Sequence, residues 1–161
     1  MIPPGGPPPP ATLRPAAPAD YDAIAAVVDD WWGRPILGSL PRLFLDHFHT
    51  TSLVAEDGAG ELAGFLVGFL SPSRPGQAYV HFVGVAPGHR GTGLGRALYQ
   101  RFFDLARAHG CTGVSAVTSP VNQASIAFHT RMGFAVEGPV EGYDGPGHPL
   151  MHFRLGLSQR N

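Results

Sequence analysis

The amino-acid sequence predicts one mixed α/β (α+β) domain, and three observations predict it. The first is a change of period. Tyr79 to Val85 is rich in β-branched and aromatic residues, Gly91, Gly93 and Gly95 follow, and then Leu94, Leu98, Phe102 and Leu105 recur at helical spacing. A strand therefore ends, turns through glycines and opens a helix. The second is a hairpin: Leu53 to Glu56 and Glu61 to Leu70 are apolar runs joined by Asp57-Gly58-Ala59-Gly60. The third is the order of elements, in which strands and helices interleave without an internal repeat.

Each element has its own signal. Thr12 to Arg14 reads as a first strand, cut off by Pro15. Pro18-Ala19-Asp20 starts a helix running to about Trp31, with Ile24, Val27, Val28 and Trp31 on one face. A short second helix, Leu40 to Phe48, follows the Gly33-Arg34-Pro35 break. After the hairpin come the central strand, the glycine turn and a long helix to His109. A strand from Gly113 to Val117 leads to a helix that Asn122 can cap and Gly133 can stop. Strands near Phe134 to Val136 and from Leu150 to Leu157 close the chain.

Composition narrows the classes of function. A chain of 161 residues and 17.0 kDa suits one domain, expected over residues 12–158, with the Pro-rich stretch 1–11 as a disordered or polyproline II tail. The formal charge is −1 and the pI near 6.7, which points to neither nucleic acid nor an anionic membrane. The longest apolar run, Leu62 to Leu70, is far short of the ~20 residues a membrane span needs. Cys111 is the only cysteine, so no internal disulfide forms, and the N-terminal stretch lacks the features of a secretory leader. A cytoplasmic protein is expected. Of the eight histidines only His47 and His49 stand close together, so no metal site is expected.

The glycine turn is where chemistry is expected. The first turn of a helix carries backbone N–H groups without intrahelical partners, and the macrodipole makes that end positive. Gly91, Gly93 and Gly95 would let a phosphate oxygen approach the amides of Arg90, Gly91, Thr92, Gly93, Leu94, Gly95 and Arg96, and the two arginines would add cationic donors. A Walker A loop needs a lysine, and this chain has none. A dinucleotide fingerprint needs G-x-G-x-x-G, whereas these glycines are two apart.

Two segments carry a family resemblance. Val85-x-Pro87-x-x-Arg90-x-x-Gly93-x-Gly95 resembles motif A of the GCN5-related N-acetyltransferase (GNAT) superfamily, and Asn122-Gln123-Ala124-Ser125-Ile126-Ala127-Phe128-His129-Thr130-Arg131-Met132-Gly133-Phe134 resembles a second segment of the same family. The resemblance is close over Ala78 to Phe134 and elsewhere lies in element order. It implies a largely antiparallel sheet of about six to seven strands with about four helices and a splayed central strand. It implies acetyl-CoA as cofactor, and transfer of its acetyl group to a primary amine by direct attack in a ternary complex. A non-catalytic acyl-CoA-binding or sensing domain is the alternative.

The resemblance also assigns residues. Backbone amides of Val83, Gly84 and Val85 would hold the acetyl oxygen and pantetheine; Gly84 marks either a bulge or room left for a neighbouring side chain. Asn122, Ser125 and His129 fall on one helical stripe and would face the cofactor. His81 stands where arylalkylamine-type members carry a basic histidine, and Val117 stands where others carry a glutamate base. His81 is either that base or a half-buried structural histidine. His129 replaces the family's usual tyrosine acid, leaving either a proton donor or a packing residue. The first helices and late strands would line the acceptor pocket, nominating Asp29, Asp30, Trp31, Trp32, Arg34, His81, Tyr143 and Asp144, with one of the two tryptophans in the core. The acceptor is a small-molecule or peptide amine, and a homodimer through late strands fits the family.

Overall fold

The computed structural model describes residues 10–158; Met1 to Pro9 of the Pro-rich tail lie outside them. Seven strands form one sheet in the order β1-β2-β3-β4-β5-β7-β6. They are β1 (Thr12–Pro15), β2 (Leu53–Glu56), β3 (Leu62–Leu70), β4 (Gln77–Val85), β5 (Gly113–Thr118), β6 (Ala135–Val140) and β7 (Leu150–Gly156). The helices are α1 (Asp20–Trp32), α2 (Leu43–Phe48), α3 (Leu94–Ala108) and α4 (Gln123–Met132). The chain divides into two compact units, Met1–Gly68 with Phe82–Phe102, and Phe69–His81 with Phe103–Asn161.

In the first unit β1 pairs antiparallel with β2, and β2 with β3. The hairpin turn is tied by the Asp57 carboxylate, which accepts from the N–H groups of Ala59 (2.8 Å) and Glu61 (3.0 Å). Gly60 turns the chain at φ 79°, where a side chain would be strained. Helix α1 buries Ile24 and Val28, one turn apart, and ends at Gly33 in the left-handed region. Its first turn is pinned by Arg14 of β1, which donates to Asp20 (2.8 and 2.9 Å) and to Glu56 of β2 (2.7 Å). Ile24, Val28, Leu40, Leu45, Val54, Phe65 and Val67 form the core of this unit.

The second helix is shorter than the expected Leu40 to Phe48. Leu37–Ser39 makes a 3-10 turn, and Leu40 leaves it at φ −132°, ψ 71°, fully buried. Pro41 follows, and a residue before proline is pushed out of the helical region, so α2 starts only at Leu43.

In the second unit β4 and β5 are parallel, with Gln77↔Gly113, Ala78↔Val114 and Tyr79↔Ser115 in register. That pairing ends there although β4 runs on to Val85 and β5 to Thr118, which agrees with a splayed central strand. The β5–β7 and β6–β7 pairs are antiparallel. Strand β6 reaches Val140, beyond the expected Val136, by a register shift between Glu137 and Val140.

These registers separate two faces of the second unit. Val114, Ala116 and Phe153 alternate onto one face and are buried. Tyr79, His81, Ser115, Val117, His152 and Arg154 alternate onto the other, because residues opposed across a ladder point the same way.

Candidate active site

The glycine turn belongs to the first unit. At the end of β4 the Ala86 N–H donates to the Ala63 carbonyl of β3 (2.8 Å), and Pro87–His89 makes one 3-10 turn. The Thr92 hydroxyl donates to the His89 carbonyl and closes it. Gly91 and Gly93 then take φ 74° and 87°, and α3 starts at Leu94. Its first bond runs from Ala97 N–H to the Gly93 carbonyl (3.0 Å), so the amides ahead of Ala97 have no acceptor within the helix. Gly95 lies within that first turn.

A Cβ built on Gly91 or Gly93 meets nothing within 4 Å, and both residues are exposed. Packing therefore does not require glycine there; the left-handed backbone does, and it leaves the amides open to an anion. This exposed helix start with bare backbone fits the diphosphate of coenzyme A. Leu94 anchors it by packing inward, where Gly64 of β3 leaves space: a Cβ on Gly64 would lie 3.2 Å from Leu94 and 3.0 Å from the Gly84 carbonyl.

Arg90 has a further engagement. Its guanidinium donates to the Trp31 carbonyl in the last turn of α1 (2.5 Å), so this cation ties the glycine turn to a helix C-terminus, where positive charge is favoured. Arg96 is exposed in the first turn of α3.

Gly84 of β4 has a packing reason to be glycine. A Cβ there would lie 2.6 Å from Phe65 Cε1 and 2.9 Å from Trp32 Cζ3. Trp32 packs on Phe82 (ring centroids 4.8 Å apart) and on Phe65 (6.4 Å), and Trp31 stacks on Phe65 (6.1 Å). Both tryptophans thus pack against the core of the first unit, whereas one was expected to. Asp29, expected in the acceptor pocket, accepts from the N–H groups of Ile36 (2.8 Å) and Leu37 (2.9 Å) and so holds the chain after α1 in place. Arg34 is exposed just beyond α1.

In the second unit the expected stripe on α4 forms. Asn122 caps the helix, its Oδ1 accepting from Ser125 N–H (3.1 Å). One turn on, His129 Nδ1 donates to the Ser125 carbonyl (2.7 Å), with the Ser125 hydroxyl 3.3 Å away. Because a carbonyl only accepts, this bond puts the proton of the neutral ring on Nδ1 and the lone pair on Nε2. His129 is 7% exposed, stacked on Phe153 and edge-on to Phe128 and Phe134. Burial pushes its pKa below the ordinary value, against the opposing effect of the Ser125 bond. The ring is therefore neutral at pH 7, which disfavours the role of charged proton donor.

His81 stands on the opposite face of this unit from His129, because His129 stacks on Phe153 while His81 alternates with Tyr79 onto the other side. Tyr143 and Asp144 are exposed in the loop between β6 and β7. Two residues beside them were not among the expected site residues. The Tyr79 pKa is pushed up to about 12, first by burial and then by Tyr143 and Asp144, so its hydroxyl stays a donor. The Tyr143 ring sits edge-on to His152 (centroids 4.6 Å apart, planes at 82°). Strand alternation was the signal that could have found both, once the registers of β5 and β7 were known.

Among the described residues no group of three His, Cys, Asp or Glu could hold a metal ion, and no helix is long and apolar enough to cross a membrane.

Residues 17–134 match the family described as Acetyltransferase (GNAT) family. The chain is 33% identical over 141 residues to an L-methionine sulfoximine/L-methionine sulfone acetyltransferase of Pseudomonas paraeruginosa, covering 80% of this chain and 82% of that protein. It is 41% identical over 85 residues to an L-2,4-diaminobutyric acid acetyltransferase of Nocardia farcinica, covering 53% of this chain but only 44% of that protein. In fold it is similar to the diaminobutyrate acetyltransferase of Paenibacillus lautus, solved with its substrate and coenzyme A, with a TM-score of 0.71, 23% identity and coverage of 94% and 97% of the two chains. The alternative of a non-catalytic acyl-CoA-binding domain gives way to these matches, and the chain belongs to the acetyltransferase (GNAT) family as an acyltransferase that uses acetyl-CoA.

Proposed function

We propose that this chain acetylates the primary amine of a small molecule by direct attack in a ternary complex. The observation that carries the reading is the bare, left-handed backbone at Gly91 and Gly93 opening α3, a helix start built to receive a diphosphate. The relatives named above act, by their names, on small amino acids, which supports a small acceptor.

Acetyl-CoA supplies a thioester whose carbonyl the amine can attack. The residues proposed to bind it are Val83, Gly84 and Val85 by backbone, Arg90 to Arg96 around the diphosphate, and Asn122, Ser125 and His129 on α4. An ammonium cannot attack, so a group must take its proton near neutral pH, and His81 is the proposed base. Val117 leaves no carboxylate at the position where the family resemblance implies a glutamate base in other members. For His129 the neutral ring supports a positioning role, and a thiol of pKa about 8.5 leaves without a dedicated acid. Asp29, Trp32, Arg34, Tyr143 and Asp144 are the proposed acceptor-side residues; of these Tyr143 and Asp144 have the stronger support, since Asp29 and Trp32 are engaged in holding the fold.

Thiol release from acetyl-CoA, measured over a panel of primary amines with both substrates varied, tests this. Intersecting initial-rate lines are expected; parallel lines overturn direct attack, and no turnover with any amine overturns the reading.

A further inference from the structure

His152 is unlike every other polar side chain among the described residues: its Nε2 is buried and has no hydrogen-bond partner. A buried polar nitrogen left unpaired is costly, so native structures supply a partner from protein, water or ligand. The register locates it. His152 lies opposite Val117 on β5 and Glu137 on β6, on the face that also carries Tyr79 and His81. Its cover is Tyr143, which meets it edge-on yet remains 51% exposed. Tyr143 thus keeps part of its ring open to solvent while it covers an imidazole whose Nε2 lacks a partner.

Resting on the acceptor reading above, we propose that His152 is a specificity-determining residue. Its Nε2 hydrogen-bonds a second polar group of the acceptor, a hydroxyl, carboxylate or second amine, so the preferred substrate class is a small bifunctional amine rather than a plain alkylamine. The reacting amine is left to His81, on the same face of the same unit.

The test compares kcat/KM for butylamine, 4-aminobutan-1-ol, 4-aminobutanoate and 1,4-diaminobutane in the wild type, His152→Phe and His152→Gln. The wild type is expected to favour at least one bifunctional amine over butylamine by about tenfold or more, the effect of one well-made hydrogen bond. His152→Phe should bring that ratio close to one while leaving the KM for acetyl-CoA unchanged, and His152→Gln, which keeps a hydrogen-bonding end, should retain part of it. A wild type without preference, or a ratio untouched in His152→Phe, overturns the assignment while turnover of butylamine leaves the acceptor reading standing. If His152→Phe does not fold, the wild-type ratio and His152→Gln decide. No turnover of any amine by the wild type overturns both.

Discussion

The His129 imidazole lies flat on Phe153, ring centroids 4.0 Å apart and planes at 6°, with its Nδ1 proton held by the Ser125 carbonyl. This is a histidine built into a hydrophobic face as a neutral ring. Its pKa is lowered by burial from the ordinary 6.5. The unfolded chain therefore takes up a proton as pH falls through 6.5 while the folded ring does not, and stability is lost on going acid. Denaturant unfolding at pH 7, 6 and 5 should show a falling stability whose slope is shallower in His129→Phe. Equal slopes would mean that the ring is protonated in the fold.

Gly84 makes a second prediction. With Phe65 and Trp32 closing on the site a methyl group would occupy, Gly84→Ala should cost about 1–3 kcal/mol through overpacking. Phe65→Leu in the same chain should recover part of that, since neighbours couple. Urea titration of the single and double variants checks it. Unchanged stability with lost activity would assign the glycine to the thioester instead.

At Gly93 charge and backbone strain can be separated. Gly93→Ala introduces only the left-handed penalty, about 1–2 kcal/mol, because a Cβ there meets nothing. Gly93→Asp adds a carboxylate beside the proposed diphosphate and should weaken coenzyme A binding by about 100-fold more than Gly93→Ala does. Calorimetric titration with coenzyme A reads the difference. Equal affinities of the two variants would remove the diphosphate from this turn.

What could be read from the sequence was what depends on neighbours in the chain. The period change across Gly91 to Gly95, the Asn122 cap and the Gly133 stop are local signals, and each stands where expected. The false start of α2 was also local: Leu40-Pro41 carries it. What could not be read depends on contacts distant in sequence. Arg90 reaching Trp31, Gly84 yielding to Phe65 and Trp32, and His152 sharing a face with Tyr79 all follow from strand register and packing, and no spacing within one segment encodes them.

His81 carries the last prediction. If it takes the proton from the acceptor, His81→Ala should lower kcat/KM by about 100-fold near pH 7, in the range typical of a lost general base. The deficit should shrink as pH rises toward the pKa of the amine, about 10 for an alkylammonium, because free amine then no longer needs a base to form. A merely structural histidine would lose activity by a constant factor across that range. The ratio of wild-type to variant kcat/KM between pH 6.5 and 9.5 therefore separates the two roles: a falling ratio assigns the base, and a flat one returns His81 to the half-buried scaffold of β4.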